Sequence, residues 1–371
     1  MSRVAELSRV AELSGSSELS RASELSSVSR PAMPRHFAAK MRTGFRQALL
    51  RWYDSGKRDL PWRRNRDWYP VWISEIMLQQ TRAAAVIPYY LRFLELFPSI
   101  EALAAADEPS VLNAWSGLGY YSRARLVHRA AKQMAKEGIP ATHEGILALP
   151  GIGPYTAGAL ASIALELPHA AVDGNVIRVI SRLTNNATDI SAATARADFA
   201  SQAQELLDPR RPGDFNQAMM ELGATVCVPR TPQCPGCPVA KFCAARNAGT
   251  ERRLPIRRPK PQPTIVRLDL LLVRRAKVLR RADSIYLVHR SEGERRLAGF
   301  WELPEKSGAA KCKSQPICEF RHRIVNDIFE VTVWESAISK VKQGRWVELT
   351  QIAQIPLTTI TKKALAAAGF C

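Results

Sequence analysis

Apolar residues recur at helical spacing along most of the chain, and the spacing changes after a proline-rich break. The first convincing helix carries an apolar face at Phe45, Leu49, Trp52 and Tyr53 and ends near Gly56. From there to about residue 248, helical patterns of moderate length are separated by proline and glycine. The pattern predicts a mainly α-helical domain over residues 41–248.

A proline-rich segment and a set of strands follow this helical region. Residues 249–264 contain four prolines among many charged side chains, so they cannot form a core helix and are expected to be a basic linker. The predicted elements after it are strands over 265–273, 285–288, 329–334 and 345–347 and a closing helix over 360–368. Residues 265–371 are therefore expected to form a separate, small α+β domain.

The first 40 residues are of low complexity. The sequence Ser-Arg-Val-Ala-Glu-Leu occupies positions 2–7 and again 8–13, and the segment is rich in Ser with almost no aromatic side chains. We expect residues 1–40 to be disordered. A short heptad helix is one alternative, and another is that translation begins at Met33 or Met41 rather than at Met1.

The chain is strongly basic. Its 371 residues include 53 Lys and Arg against 34 Asp and Glu, which gives a net charge of +19 and a pI of about 10.0. This excess favours a polyanionic partner, most simply nucleic acid, with a solvated basic surface as the alternative. No apolar run approaches the ~18 to 20 residues that span a bilayer, and the N-terminus lacks the apolar core of a signal peptide. We expect a cytoplasmic protein with no membrane partner.

Four of the seven cysteines lie close together. Cys227, Cys234, Cys237 and Cys243 have the spacing C-x6-C-x2-C-x5-C, which is typical of a metal site in a reducing compartment rather than of disulfides. A structural zinc ion usually takes two close pairs, and only Cys234 and Cys237 form one. The spacing favours a [4Fe–4S] cluster, with zinc as the alternative.

A glycine-rich turn and an acidic residue after it carry the most specific signal. Residues 149–153 read Leu-Pro-Gly-Ile-Gly between two helical patterns, which predicts a helix-hairpin-helix. Gly151 and Gly153 allow unusual backbone angles, and the N–H groups at the start of the next helix favour a phosphate. Asp173 follows, and an acid beside bound DNA makes sense where positive charge develops in a reaction. The alternative is a tight turn with a helix-capping Asp.

A second acidic residue lies in an apolar helical segment. Glu75 is the only acid between Asp67 and Glu95, and it lies one turn from Gln79 on the same helix face. A carboxylate in such surroundings has a raised pKa and acts as a general acid, whereas an ordinary surface Glu is the alternative.

Taken together, these motifs resemble those of the adenine DNA glycosylases of the MutY type, which belong to the helix-hairpin-helix, iron–sulfur base-excision superfamily shared with endonuclease III. The resemblance covers residues 45–243 in order. Its motifs are Leu60–Arg63, Val71–Thr81, Gly117–Arg125, the hairpin at 149–153, Asp173–Val176, Phe215–Gly223 and the four cysteines. It implies a mainly α, two-lobed glycosylase fold with an iron–sulfur loop. It also implies a monomer that acts on double-stranded DNA with A:8-oxoguanine or A:G mispairs and lies at the nucleoid when bound.

The resemblance also implies catalytic roles. Glu75 matches the acid that protonates the adenine leaving group and helps to activate water, and Asp173 matches the carboxylate that stabilises the oxocarbenium-like sugar. Cleavage of an N-glycosidic bond needs one protonated and one ionised carboxyl group, as in sugar hydrolases. Tyr155 matches a residue hydrogen-bonded beside that Asp.

Further matched residues concern the base and the duplex. The pocket for the flipped adenine is matched by Arg58, Trp62, Arg63 and Glu221. The residues inserted into the duplex are matched by Leu78, Gln80 and Tyr120, with a core position as the alternative for Leu78 and Tyr120. The contacts to phosphate and sugar are matched by Gly151, Gly153 and Asn175.

Tyr155 discriminates between reaction types within the superfamily. The lyase-type relatives have a Lys at this position, and a Tyr cannot form the Schiff base that such a Lys forms. The chain is therefore expected to be monofunctional, cutting the base but not the strand. One alternative is an endonuclease III-like lyase. Another is a non-catalytic iron–sulfur DNA-binding protein, against which the presence of both Glu75 and Asp173 argues.

The C-terminal region carries its own resemblance. Residues 297–304 read Leu-Ala-Gly-Phe-Trp-Glu-Leu-Pro and resemble the Nudix-like domain with which these enzymes recognise 8-oxoguanine. The acid-rich magnesium helix of Nudix enzymes is missing from the sequence, so no pyrophosphatase activity is expected. Where the family commonly has Phe-Ser-His, this chain has Ile324-Val325-Asn326. The domain is expected to recognise the lesion more weakly than the family pattern suggests.

Overall fold

The computed structural model describes residues 38–259, 262–275, 283–291, 297, 299–306, 315–336 and 344–370. The repeat predicted to be disordered over residues 1–40 lies almost wholly outside these residues, as do Cys312 and Cys371. Among the described residues, no helix has the length and apolar character needed to cross a membrane.

The first part of the chain is helical. In chain order the α-helices are α1 Ala39–Gly56, α2 Trp68–Leu78, α3 Ala83–Leu96, α4 Ile100–Ala105, α5 Glu108–Ala114, α6 Ser122–Glu137, α7 His143–Leu147, α8 Pro154–Ile163, α9 Gly174–Leu183, α10 Ala193–Leu206, α11 Pro212–Thr225 and α12 Ala244–Asn247. Short 3-10 helices occupy Pro61–Arg63, Cys234–Gly236 and Ala240–Phe242. The cysteine loop thus follows α11 directly.

The helices form two lobes with separate apolar cores. The first core lies among α2 to α8 and is built around large buried rings such as Trp72, Phe93 and Trp115. The second core joins α1 to α9, α10 and α11 through residues such as Phe199 and Phe215. Because α1 precedes the first lobe in sequence but packs in the second, the chain leaves and re-enters the second lobe.

Helix α1 illustrates how the apolar spacing sets the packing. Phe45, Leu49 and Tyr53 are each at most 1% exposed, whereas Trp52, on the edge of the same face, is only partly buried. The helix ends at Gly56, as predicted, and the next residue is extended with φ −61° and ψ 139°. A helix with one apolar stripe is stable only against a partner, and α11 supplies it.

The C-terminal region has seven strands in its described residues. They are β1 Thr264–Leu272, β2 Arg274–Arg275, β3 Ser284–His289, β4 Trp301–Glu302, β5 Cys318–Ile324, β6 Asp327–Glu335 and β7 Gly344–Glu348. One sheet has the order β1-β6-β5, with β1 parallel to β6 and β5 antiparallel to it. In the second sheet β3 pairs antiparallel with β2, β4 and β7. The closing helix, α13, covers Thr359–Ala367, as predicted.

The predicted fold class is confirmed: a two-lobed, mainly helical part is followed by a small α+β domain. The strand prediction was incomplete, because β5 and the two-residue strands β2 and β4 were not foreseen. The α+β domain touches the first lobe, since the ring of Phe300 is fully buried within the apolar core of that lobe.

Candidate active site and cysteine loop

The predicted hairpin joins α7 to α8. Gly151 has φ +79°, and a Cβ at this position would lie 2.7 Å from the Cβ of Leu126, so the turn requires glycine there. The same expectation for Gly153 was wrong. Its backbone is extended (φ −102°, ψ 176°), which any residue adopts, and nothing lies within 4 Å of a Cβ there. Gly153 caps α8 and leaves its first N–H groups uncovered.

Glu75 is buried in the first lobe at the middle of α2. Its residue is 5% exposed, and the hydroxyl of Tyr155 donates a hydrogen bond of 2.6 Å to its Oε2. Tyr155 lies in the first turn of α8, so the hairpin carries the donor to the acid. The Tyr155 hydroxyl also lies 3.2 Å from the sulfur of Met220 on α11, which brings the second lobe to the same point.

Asp173 begins α9 at the boundary between the lobes. Its Oδ1 accepts the backbone N–H of Val176 at 2.8 Å, and its Oδ2 accepts the Asn175 side-chain amide at 2.6 Å. The residue is thus a helix cap, which was the alternative interpretation of the sequence. It also interacts electrostatically with Glu75, so its capping position and its place beside the buried acid are compatible.

The segment that leads to Asp173 is fixed by a buried amide. Asn216 on α11 accepts the backbone N–H of Ala171 at 3.1 Å and donates to the carbonyl of His169 at 2.8 Å. Gly158 in α8 leaves room for this segment, since a Cβ there would lie 2.4 Å from the carbonyl oxygen of Ala170. These contacts set where the chain enters α9.

The two carboxyl groups differ in their surroundings. Burial raises the pKa of Glu75 to about 7, opposed by the single hydrogen bond from Tyr155. Burial also raises the pKa of Asp173, but the Val176 N–H, the Asn175 amide and the charge of Arg178 all favour its ionised form. Because Asp173 receives more donors, Glu75 is the member of the pair that keeps the proton.

A charged cluster lies where the adenine pocket was predicted. Glu221 on α11 has a side chain only 2% exposed and accepts Arg58 at 2.6 and 2.7 Å and Arg63 at 2.8 Å. Burial would raise its pKa, but the two guanidinium groups hold it below its ordinary value. Trp62 is 6% exposed and packs edge-on against Tyr90 in the first core. The assignment of these residues to base binding stays a prediction.

Two residues predicted to enter the duplex lie on strained, exposed turns. Gln80 follows α2 with φ 59°, and Tyr120 precedes α6 with φ 51° and is 43% exposed. Non-glycine residues rarely adopt such angles, and they cluster at functional sites. Leu78, the last residue of α2, is partly buried against the first core.

Arg123 ties the two turns together and was not foreseen. Its guanidinium donates to the carbonyls of Ile76 and Gln79 at 2.7 Å each and to that of Gly119 at 3.2 Å. It also lies 5.3 Å from the centre of the Tyr120 ring. With an exposed fraction of 8%, this cation pairs with main-chain carbonyls through its two Nη groups, whereas its buried Nε–H has no hydrogen-bond partner.

A series of hydrogen bonds connects Asp173 to the cysteine loop. Asn175, predicted to meet DNA, donates to Asp173 and accepts Arg178 at 2.7 Å, and Arg178 donates to the Cys227 carbonyl at 2.7 Å. Arg178 was also missed by the sequence analysis. In the sequence it is only one of many arginines, since the carbonyls of Gly223 and Cys227 that it binds are distant in the chain.

The four clustered cysteines line one pocket beside Arg182 and Arg246. Burial raises the pKa of the thiols of Cys234, Cys237 and Cys243, that of Cys237 to about 11, so these sulfurs are neutral unless a metal replaces their protons.

Arg182 fastens this cysteine loop to α9. The residue is 1% exposed, and its guanidinium donates to the carbonyls of Val228, Pro229 and Leu254 at 2.7 to 3.0 Å. A further N–H lies 3.3 Å from the Cys227 sulfur. One cation therefore binds the loop to the chain that enters the linker.

Val325 lies at the tip of the hairpin between β5 and β6. It is 68% exposed with φ 56°, an angle that a β-branched residue adopts only under strain. The Arg323 guanidinium donates to its carbonyl at 3.3 Å. Val325 is thus at the surface, where a partner can reach it.

The chain is similar in sequence to known proteins. The family profile described as "HhH-GPD superfamily base excision DNA repair protein" matches residues 73–205. The chain is 46% identical over 238 residues to a rat protein named adenine DNA glycosylase, covering 60% of this chain and 46% of the rat protein. It is 38% identical over 295 residues to the Arabidopsis thaliana protein of that name, covering 70% of this chain and 47% of the plant protein.

A solved structure is similar over the helical part. The structure titled as that of a thermostable thymine-DNA glycosylase is 28% identical with a TM-score of 0.51, and the match covers 56% of this chain and 98% of that one. The chain spans about half the length of the curated relatives described above.

Proposed function

Because residues 73–205 match the profile of the HhH-GPD superfamily of base excision DNA repair proteins and the chain is similar to adenine DNA glycosylases, we propose that it is a monofunctional adenine DNA glycosylase. It hydrolyses the N-glycosidic bond of adenine opposite 8-oxoguanine or guanine in double-stranded DNA. The observation that carries the proposal is the buried Glu75, whose Oε2 accepts the Tyr155 hydroxyl and whose pKa burial raises to about 7 in the presence of Asp173.

Glu75 acts as the general acid. With a pKa of about 7 it is protonated in a large fraction of molecules near neutral pH, and a catalytic acid works best with such a value. The Tyr155 hydrogen bond holds Oε2 and leaves Oε1 to face the base. As the bond from C1′ to the base nitrogen breaks, its electron pair passes to the base, and the proton of Glu75 passes to an adenine ring nitrogen.

Asp173 supports the sugar during this step. The hydrogen bonds from Val176 and Asn175 favour its ionised form, and the carboxylate offsets the positive charge that develops at the sugar. Water then adds to C1′ and gives its proton to the Glu75 carboxylate, which restores the acid. The products are free adenine and an abasic site, and the strand stays intact because Tyr155 offers no amine.

We infer a [4Fe–4S] cluster at the four clustered cysteines from their spacing in the sequence and from the pocket that they share. They face one pocket, and Arg182 places an N–H near the sulfur of Cys227, as expected around clusters whose sulfurs accept hydrogen bonds. The cluster, when bound, neutralises the thiolates and holds the loop rigid. Arg230, Lys241 and Arg246 lie on or beside this loop and supply positive charge for phosphate.

The opposite base is read mainly from the first lobe. Gln80 and Tyr120, on strained and exposed turns, supply the wedge that enters the duplex beside the mispair, with Leu78 next to it. Val325 offers no hydrogen bond to the oxidised base, so the C-terminal domain contributes a weaker preference for 8-oxoguanine than a hydroxyl would.

An excision assay tests the proposal. The full chain is incubated with duplexes that contain adenine opposite 8-oxoguanine, guanine or thymine, and products are resolved with and without alkali. We expect excision opposite the first two bases and strand breaks only after alkali. Breaks without alkali, together with covalent trapping by borohydride, would establish the endonuclease III-like lyase instead. Binding without excision would establish a non-catalytic protein.

The metal is tested separately. Protein purified without oxygen from iron-replete cells is expected to be yellow-brown, with about four iron atoms per chain for the cluster named here. A colourless protein with one zinc ion would overturn the cluster.

A further inference from the structure

Several contacts between the C-terminal domain and the first lobe fall on one short segment. The ring of Phe300 lies 4.1 Å from that of Tyr121 between centroids, and the Nζ of Lys362 on α13 donates to the Ser116 hydroxyl at 2.6 Å. Leu297 also packs on the first core. The docking surface on the lobe therefore lies around the turn between α5 and α6.

Phe300 behaves as a residue of the helical core rather than of its own domain. It is 0% exposed and belongs to the apolar cluster of the first lobe, whereas its neighbour Leu303 packs in the core of the C-terminal domain. Gly299 makes the approach possible, because it has φ +76° and a Cβ there would lie 3.0 Å from the Nη2 of Arg125. The backbone thus comes close to α6 and inserts the next ring.

The segment that Phe300 supports carries the exposed ring of Tyr120. Tyr121 is 4% exposed beneath it, and its hydroxyl accepts the backbone N–H of Gly117 at 3.3 Å. Tyr120 itself has a left-handed backbone with φ 51°, a strained conformation that persists only where its surroundings hold it. Arg123 holds the turn from the side of α2, and Phe300 from the side of the C-terminal domain.

We propose that Phe300 is a positioning residue: by packing on Tyr121 it holds the Tyr120 ring in the raised conformation that enters the duplex beside the mispair. The C-terminal domain then affects adenine excision through this turn, in addition to any contact of its own with the opposite base. The proposal rests on the function proposed above, since it concerns the wedge of that reaction.

A double-mutant cycle in the full chain tests this proposal. Phe300→Ala, Tyr120→Ala and the double variant are compared for single-turnover excision of adenine opposite guanine. We expect Phe300→Ala to slow excision roughly tenfold, a size typical of residues that act through a neighbour. If Phe300 acts through Tyr120, the double variant is no slower than Tyr120→Ala alone. Additive losses would overturn the proposal.

A spectroscopic measurement separates positioning from general destabilisation. The fluorescence of 2-aminopurine placed beside the mispair increases when a wedge residue unstacks that base. Phe300→Ala is expected to lower this gain in fluorescence at saturating protein. Leu287→Ala is the matched control, because Leu287 is 0% exposed in the core of the C-terminal domain and belongs to a different apolar cluster. An equal loss of the gain in this control would refute a specific role for Phe300.

Phe300→Leu covers the case in which the alanine variant does not fold. Leucine remains apolar and fills most of the same space but lacks the ring contact with Tyr121, so Phe300→Leu is expected to lower the fluorescence gain, although less than Phe300→Ala does. A wild-type chain that fails to excise adenine would refute the proposed function instead. Wild-type excision with an unchanged fluorescence gain in both Phe300 variants would refute the positioning proposal alone.

Discussion

Replacing Glu75 by glutamine should make the protein more stable while it abolishes excision. Glu75→Gln keeps the size of the side chain and an oxygen that accepts the Tyr155 hydroxyl, but it removes the charge that burial penalises. Catalytic carboxyl groups held out of water commonly reduce the stability of the folded state. The variant therefore distinguishes the effect of Glu75 on catalysis from its effect on stability by exchanging a single heavy atom.

The size and the sign of this change in stability follow from the pKa of Glu75. Burial raises it from an ordinary 4.5 to about 7, which corresponds to about 3 kcal/mol between the two protonation states. Below pH 4.5 both folded and unfolded chains hold the proton, so the group contributes nothing. Between pH 4.5 and 7 the unfolded chain releases the proton first, and stability falls as the pH rises. Above pH 7 the whole penalty is present.

Denaturant unfolding of the wild type and of Glu75→Gln from pH 4.5 to 8.5 measures this effect. The variant should gain up to about 3 kcal/mol at pH 8 and nothing near pH 4.5, since all other groups are common to both proteins. Glu95→Gln is the control for the substitution itself, because Glu95 is exposed on α3. Equal stabilities of the wild type and Glu75→Gln at pH 8 would refute the buried, charged state of Glu75.

The rate of adenine excision is measured on the same proteins over the same pH range. Wild-type excision should decline as the pH rises through about 7, because the acid form is lost, and Glu75→Gln should lose at least ~10²-fold at every pH. A variant with wild-type turnover would remove Glu75 from the mechanism, whatever its stability.

Three other changes have expected outcomes. Asp173→Asn should slow excision at least ~10²-fold with duplex binding in gel shifts unchanged, and lost binding would point to a role as a helix cap alone. Tyr155→Phe removes a hydrogen bond that lowers the pKa of Glu75, so the alkaline decline of the rate should move to higher pH, and a decline at lower pH would contradict this. Val325→Asn should raise the stability of the C-terminal domain by about 1 kcal/mol in thermal unfolding, since Asn tolerates a positive φ, and a lower melting temperature would show that the turn is not strained.

Local patterns in the sequence were enough for the helices and for the buried acid. The apolar stripe of α1 placed Phe45, Leu49 and Tyr53 in the core, because the spacing of apolar residues within one helix determines which of them lie on the same face. Glu75 could be singled out because apolar residues surround it in sequence as they do in space. Strand β5 was missed, since its inward-facing side chains are only half-buried and its pairing partner β6 follows it in the chain.

Contacts between distant segments could not be foreseen. Arg123, Arg178 and Arg182 all bind main-chain carbonyls of other segments, and a carbonyl has no sequence signature. Phe300 looks like a core residue of its own domain, yet it packs in the first lobe. Gly153 looked equivalent to Gly151 by sequence, although only Gly151 has the positive φ.

The path of the chain between the lobes has a consequence for synthesis on the ribosome. Helix α1 ends at Gly56, and its partners begin with α9 at Gly174, roughly 120 residues later. At ~5–20 residues per second, this interval is about 6 to 24 seconds. During it the segment from 60 to 171 emerges without interruption and assembles the first lobe. The apolar face of α1 meanwhile lacks its native partners in the second lobe, so Phe45 and Leu49 stay open to non-native contacts until α9 to α11 have emerged.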